Sequence, residues 1–208
     1  MYLVKMPRLV QRLLPGFTWY IPTREKVLYL SFDDGPIPEV TPWVLDTLHS
    51  AGAKATFFCV GENVQRNPGI FQRIIEEGHA VGNHTHQHLN GWKTDTSIYL
   101  QNVKTCAERV PGTLFRPPYG RLRSDQARAI RESYRIIMWD VLSGDFDRSI
   151  RPEKCLENIL QHTRPGSIVV LHDSLKAEPN LRYALPALLE YFLEKNWAFR
   201  SLESEISR

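Results

Sequence analysis

The chain has 208 residues, which at ~150 residues per domain suits a single domain able to bury roughly 70% of its unfolded surface. Hydrophobic residues make up 42% and charged residues 24%, which excludes a disordered or collagen-like chain. The net charge is only +3, with no basic run, so nothing points to nucleic acid.

Residues 1–25 form a lead-in to a domain expected over 26–208. Its first stretch is broken by Lys5, Pro7, Arg8 and Arg12, which argues against a secretion signal. Packing onto the domain is the plainer expectation for it, and contact with a membrane surface as a basic interfacial helix the alternative. No run reaches the ~18 apolar residues of a membrane span, which makes the cytoplasm the default location. Cys59, Cys106 and Cys155 lie far apart and fit no zinc spacing; they read as buried free thiols, compatible with a reducing compartment.

From residue 26 onward, short apolar runs alternate with helical stretches. Lys26 to Phe32 reads as a buried strand closed by Gly35 and Pro36, and 40–50 as a helix stopped by Gly52. Strand 55–60 and helix 69–77 follow, then a weakly marked strand at 79–83 and a helix over 95–109. A short strand at 114–116 precedes a helix at 123–132, and a strand at 135–139 precedes a helix at 152–162. Strand 166–171, helix 181–195 and a last strand at 197–200 complete the chain. Roughly seven strand–helix units imply a parallel sheet covered by helices. A closed or nearly closed barrel suits the count, with an open doubly wound sheet as runner-up; both place active sites at the carboxyl ends of the strands.

Polar residues gather at those ends. The first strand runs into Asp33-Asp34-Gly35-Pro36, a good turn sequence in itself. Two adjacent carboxylates repel each other, however, a cost usually offset by a cation or a task. Three of the seven histidines fall in His84-Thr85-His86-Gln87-His88. As a helix this segment puts His84 and His88 on one face, the pairing that suits two metal ligands, whereas an extended chain aligns all three. Arg116 at the fourth strand end is placed to pair with a carboxylate. Asp140, Asp145 and Asp147 leave the fifth strand and read equally as loop acids. The nearly wholly apolar sixth strand ends at His172-Asp173, which makes His172 a candidate general acid.

In this order, Ser31-Phe32-Asp33-Asp34-Gly35-Pro36, His84-Thr85-His86-Gln87-His88, Arg116-Pro117-Pro118-Tyr119-Gly120 and Val170-Leu171-His172 resemble the motifs of the polysaccharide deacetylases, carbohydrate esterase family 4. The resemblance runs from about residue 26 to 200 and implies a distorted (β/α)7-type barrel. It implies that Asp34, His84 and His88 bind one divalent metal, usually zinc. It makes Asp33 the general base, Arg116 its partner, and His172 the acid oriented by Asp145, while the Tyr119 backbone N–H serves the oxyanion. The implied substrate is an acetylated carbohydrate, chitin- or peptidoglycan-like, which loses acetate. Two departures stand out: Leu142 and Phe146 replace the Asp and Trp that flank Asp145 in the family's Asp-x-x-Asp-Trp motif, leaving the groove wall open to question. Val170 stands where leucine is usual, beside the acetyl methyl. A metal-dependent amidohydrolase of a small non-glycan amide is the alternative, and a non-catalytic glycan-binding relative is disfavoured because the ligand set is whole. The motifs name neither the polymer, the native metal nor an oligomeric state.

Overall fold

The computed structural model describes residues 2–202. In chain order its elements are α1 (Arg8–Leu13), β1 (Phe17–Thr18), β2 (Val27–Asp33), α2 (Thr41–Ser50), β3 (Ala55–Cys59), α3 (Gly61–Arg66), α4 (Pro68–Glu76) and β4 (Ala80–Asn83). There follow α5 (Thr96–Ala107), β5 (Leu114–Phe115), α6 (Ser124–Ile130), β6 (Arg135–Ile137), β7 (Val141–Leu142), α7 (Pro152–His162), β8 (Ile168–His172), α8 (Glu178–Glu194) and β9 (Ala198–Phe199). All the strand ladders are parallel, in the order β1-β6-β5-β4-β3-β2-β8-β7, with β9 beside the start of β2. Strands β2 to β6 lie side by side in sequence order, as in a barrel; a doubly wound sheet reverses direction partway. The fold is therefore the barrel-type α/β architecture, curled and incompletely closed.

Strand alternation sorts the residues between two cores. On β2, Leu28, Leu30 and Phe32 face outward into a cluster with α2, α4 and α8, through residues such as Val44, Ile74 and Leu185. Val27 and Tyr29 face inward and meet Phe58, Leu114, Ile137 and Ile168 in the floor of the barrel. A second outer cluster joins Phe115 and Ile136 to Tyr99, Val103 and Ile130 of α5 and α6. Above the apolar floor, the inward register continues as Ser31 and Asp33 on β2 and as Val170 and His172 on β8. Arg116 follows β5 in the same register. One periodicity thus carries the core below and the chemistry above.

Among the described residues no ladder joins β1 to β7, the two ends of the strand path. The lead-in occupies this seam. Lys5 bridges Val141 in antiparallel fashion, the Leu142 N–H donates to the Val4 carbonyl at 2.8 Å, and the Met6 N–H donates to the Asp140 carbonyl at 3.0 Å. Further on, β1 pairs with β6, and Tyr20 bridges Ser167. The described part of the lead-in, residues 2–25, therefore supplies part of the sheet as well as leading into it. Covering an edge strand in this way removes a row of unpaired backbone groups.

Three local expectations change. The strand expected over 135–139 breaks after Ile137: the Met138 N–H turns to Thr18, whereas the Asp140 N–H turns to Ile168, so the chain changes neighbours and re-forms as β7. The unbroken apolar run conceals this switch. Helix α3 was not anticipated, because its polar stretch carries little apolar period; Asn67, with φ −130°, ends it and Pro68 opens α4. Helix α8 begins at Glu178, ahead of the expected 181, with a proline in its first turn. The three cysteines are buried free thiols, as their apolar neighbours implied. No helix among the described residues is long and apolar enough to cross a membrane.

Candidate active site

The inward register brings Asp33 and Arg116 together under the mouth of the barrel. Arg116 Nη1 lies 2.7 Å from Asp33 Oδ1, and both side chains are buried. The same Nη1 donates to Ser31 Oγ at 2.8 Å, Nη2 to the Met138 carbonyl at 2.9 Å and Nε to the Ile137 carbonyl at 3.3 Å. The guanidinium also stacks over Phe58, its carbon 4.0 Å from the ring centroid. Burial works against the charge of Arg116 and the Asp33 carboxylate works for it. With a partner on every side, a planar fork is the group that this position accepts.

Asp34 would face outward if β2 ran on regularly. Its φ of +86° turns the chain instead, and its carboxylate joins the same mouth. Asn63 secures the turn by donating to the Asp34 carbonyl at 2.7 Å. The histidine segment is neither of the two conformations expected from sequence. After β4 it turns through left-handed residues, Thr85 (φ +62°) and His88 (φ +55°), and this path makes His84 and His88 converge. Asn102 Oδ1 holds the turn by accepting the N–H groups of His86 and Gln87. His84 Nε2 and His88 Nε2 lie 3.8 and 3.1 Å from Asp34 Oδ1, and one ligand atom from each of the three residues falls within 4.8 Å of the others. His86 turns away, with Nδ1 packed against Gly61, where a Cβ would clash at 2.5 Å.

His84 and Asp34 have the electronic state a cation needs. Burial pushes the His84 pKa down to about 4, so the ring is neutral at ordinary pH. Its Nδ1 lies 2.8 Å from the Arg116 carbonyl; as donor there, it leaves the Nε2 lone pair facing Asp34. Burial raises the Asp34 carboxyl, but the hydrogen bond with His88 and the nearby His172 and His84 outweigh it, so Asp34 sits well below the usual carboxylate range. Arg116 thus serves both halves of the site, Asp33 through its side chain and His84 through its carbonyl.

On β8, His172 pairs in register with Asp33 of β2. Its Nδ1 lies 2.8 Å from Asp145 Oδ1, and its backbone N–H donates to Asp145 Oδ2 at 2.6 Å. Burial disfavours the imidazolium; Asp145 reverses that effect, with help from Asp34 and Asp33, and raises the His172 pKa to about 10. Asp173, one residue on, points the other way and accepts from the Gly35 N–H and the Thr41 hydroxyl behind the Asp34 turn. Burial, aided by the charge of nearby Asp34, outweighs these bonds and pushes it up to about 8.

A cavity of about 600 Å³ opens above these groups. Asp33, Asp34, His84, His88, His172, Tyr119, Phe146 and Val170 all line it; Arg116 and Asp145 lie just beneath, behind Asp33 and His172. Tyr119 has φ +60°, and its hydroxyl lies 3.1 Å from His88 Nδ1. The Phe146 ring stands edge-on to His172, with centroids 5.2 Å apart. Sequence reading missed Ser31 and Trp139, whose inward register marks them, and Asn63 and Asn102, which brace the turns without any period. It also missed Tyr2, Leu3 and Met6 on the cavity wall, since nothing in the lead-in suggests that it reaches the site.

A carboxylate–imidazole cluster, a buried carboxylate and a charged histidine at the strand ends of a parallel barrel define a metal-dependent hydrolase. The family model described as polysaccharide deacetylase matches residues 20–137, and the chain belongs to that family. It is 33% identical over 199 residues to a peptidoglycan-N-acetylglucosamine deacetylase of Bacillus cereus, covering 92% of each chain. It is 31% identical to a chitooligosaccharide deacetylase of Azorhizobium caulinodans, over 81% of this chain and 90% of the relative. Among solved structures, a peptidoglycan N-acetylglucosamine deacetylase in complex with 4-naphthalen-1-yl-N-oxidanyl-benzamide superposes with a TM-score of 0.82 at 29% identity, covering 91% of this chain and 92% of that one.

Proposed function

We propose that this protein hydrolyses the N-acetyl groups of a peptidoglycan- or chitin-like glycan, with zinc as its metal. The observation that carries the reading is the convergence of three pre-arranged units on one cavity: Asp33–Arg116, Asp34–His84–His88 and Asp145–His172. The ligand set fits a tetrahedral cation. Bonds of ~2.0–2.1 Å put neighbouring ligand atoms about 3.4 Å apart, close to the distances that Asp34 keeps from the two histidines. Two imidazoles and one carboxylate are also the three-ligand set of catalytic zinc sites. When bound, the cation acts as a Lewis acid and brings the pKa of water near neutrality.

The chain's own groups supply the rest. Asp33, kept in place by Arg116, takes the proton as water attacks the acetyl carbonyl. The backbone N–H of Tyr119, a residue that lines the cavity, donates to the developing oxyanion, where one such donor is worth ~3–4 kcal/mol. Val170, Leu142 and Trp139 offer apolar surface to the acetyl methyl. His172 gives its proton to the departing amine, and Asp145 holds the ring for that transfer. The products are acetate and a free glucosamine unit.

The test is acetate release from acetylated chito-oligosaccharides and from peptidoglycan, before and after chelation and zinc repletion, beside a panel of small amides. Release from either glycan, lost on chelation and restored by zinc, supports the reading. Turnover confined to small amides replaces it with the amidohydrolase alternative.

A further inference from the structure

The lead-in does more than seal the barrel seam. Tyr2, Leu3 and Met6 line the cavity beside Leu142, Phe146 and Val170. The segment is fixed there by an anchor remote from the chemistry. Lys5 Nζ meets Asp140 Oδ2 at 2.6 Å, Gln11 Nε2 donates to Asp140 Oδ1 at 3.1 Å, and backbone bonds tie residue 4 to Leu142 of β7 and residue 6 to Asp140 just before it. Tyr2 itself is held on two sides. Its ring lies 5.1 Å from the Phe146 ring, and the Asp147 carboxylate near its hydroxyl joins burial in raising the pKa of that hydroxyl. The loop makes room for it: a Cβ on Gly144 would stand 2.6 Å from the Tyr2 hydroxyl, and Gly144 has φ +81°. Behind Phe146 stands His172, so the aromatic row runs from the lead-in to the proton donor.

This arrangement bears on the two departures from the family motif. Where the family's Trp would stand, Phe146 is the smaller ring, and Tyr2 packs onto it from the lead-in. Where the family's Asp would stand, Leu142 adds apolar surface to the same wall. The groove has lost one large aromatic from its own loop and gained one from the N-terminal segment. Sugar rings present apolar C–H faces that pack on aromatic side chains, whose edges and hydroxyls serve the rim.

We propose that Tyr2, backed by Phe146, is a substrate-positioning residue, forming the platform on which a sugar ring of the acetylated glycan packs. The proposal rests on the glycan deacetylase reading. It gives the lead-in a role in recognition: affinity for longer substrates resides partly in residue 2, whereas the bond-breaking groups all come from the barrel.

The experiment compares the zinc-loaded parent with Tyr2→Ala and Tyr2→Phe on a ladder of acetylated chito-oligosaccharides and on an aryl acetate too small to reach the wall. Thermal unfolding confirms that all three are folded. Tyr2→Ala should raise KM for the longer oligosaccharides about tenfold, with kcat changed less than threefold. Aryl acetate turnover should fall by less than threefold. Tyr2→Phe, which keeps the ring and loses only the hydroxyl beside Asp147, should stay near the parent. Unchanged KM in Tyr2→Ala overturns the platform while leaving the deacetylase reading intact. Equal losses on glycan and ester, or a Phe variant as impaired as Ala, would show that Tyr2 only braces the loop, and the proposal fails. A parent that hydrolyses the aryl acetate but neither binds nor deacetylates any glycan sinks the functional reading and the platform with it.

Discussion

Arg116 and Asp33 meet at 2.7 Å with almost no access to water, the guanidinium fully covered and the carboxylate side chain only 6% exposed. Leaving either charge alone at such a site costs ~3–5 kcal/mol. Arg116→Met removes the cation and three further hydrogen-bond donations, so it should lower the melting temperature by roughly 6–20 °C for a chain of this size. Arg116→Lys should recover little, because a point charge cannot serve Asp33, Ser31 and two carbonyls at once. Calorimetry on the two variants checks both expectations. A lysine variant as stable as the parent would mean that charge alone, without the fork, satisfies this site.

The neighbouring aspartates should separate cleanly in their effects. Asp33→Asn retains an oxygen for Arg116 to donate to and leaves the Asp34–His84–His88 cluster untouched. It should keep the metal and lose ~10²–10⁴ in turnover, the usual range for a general base. Asp34→Asn replaces the only carboxylate of the cluster and should weaken metal retention first. Metal content and turnover measured on the same preparations decide the assignment. Loss of metal in the Asp33 variant alone would exchange the two roles.

How much of this was legible beforehand depends on which residues obey a period. Asp33, Arg116 and His172 lie at the ends of strands whose alternation can be read from sequence, and all three face the mouth of the barrel. Asp34, His84 and His88 reach it through positive φ values at Asp34, Thr85 and His88. Asp34 sat in a visible turn sequence, but nothing marked Thr85 and His88 as left-handed, so the histidines read as a helical pair or an aligned extended run when the geometry is a turn. The motif resemblance identified them because a family pattern records such turns implicitly. The lead-in lay beyond both routes. Its contacts with β7 and Phe146 join residues far apart in sequence, and its broken pattern advertises neither strand nor wall.

Asp140 shows the difference between a loop acid and a structural one. Buried beside the seam, it accepts from Lys5, Gln11, Arg164 and the Ser167 hydroxyl, the last at 2.6 Å. Burial raises its pKa, but the hydrogen bonds from Lys5 and Ser167 and the charges of Lys5 and Arg164 bring it below the ordinary value. A depressed folded pKa contributes stability above the unfolded value of ~3.9, lost as pH falls through the folded one. Asp140→Asn should therefore cost on the order of 2–3 kcal/mol at neutral pH, less than a fully buried pair because Lys5 and Arg164 reach solvent. The deficit should shrink on acidification. Denaturant titrations at neutral and acid pH test this, and a deficit independent of pH would assign the loss to packing. Faster amide exchange of residues 4–6 should accompany it.

The proton donor yields the sharpest pH prediction. Burial alone would leave His172 neutral, and the contact with Asp145 carries its pKa up to about 10 instead. Because the folded value lies above the ordinary ~6.5, the His172 contribution to stability is fully present below ~6.5 and is lost as pH rises toward 10. The same shift keeps the acid charged at neutral pH, where the departing amine needs its proton. Asp145→Asn removes the compensating charge but not the burial. The alkaline limb of the pH–rate profile should then move to lower pH by several units, and amide hydrolysis at neutral pH should fall ~10²–10⁴-fold. Aryl acetates should suffer far less, since a phenolate leaves unaided. His172→Ala should show the same selectivity more strongly, with no alkaline limb left to shift. Profiles on one amide and one aryl acetate for parent and both variants are the measurement. Parallel losses on the two substrates would show that Asp145 and His172 shape the cavity, and the proton donor would have to be sought elsewhere.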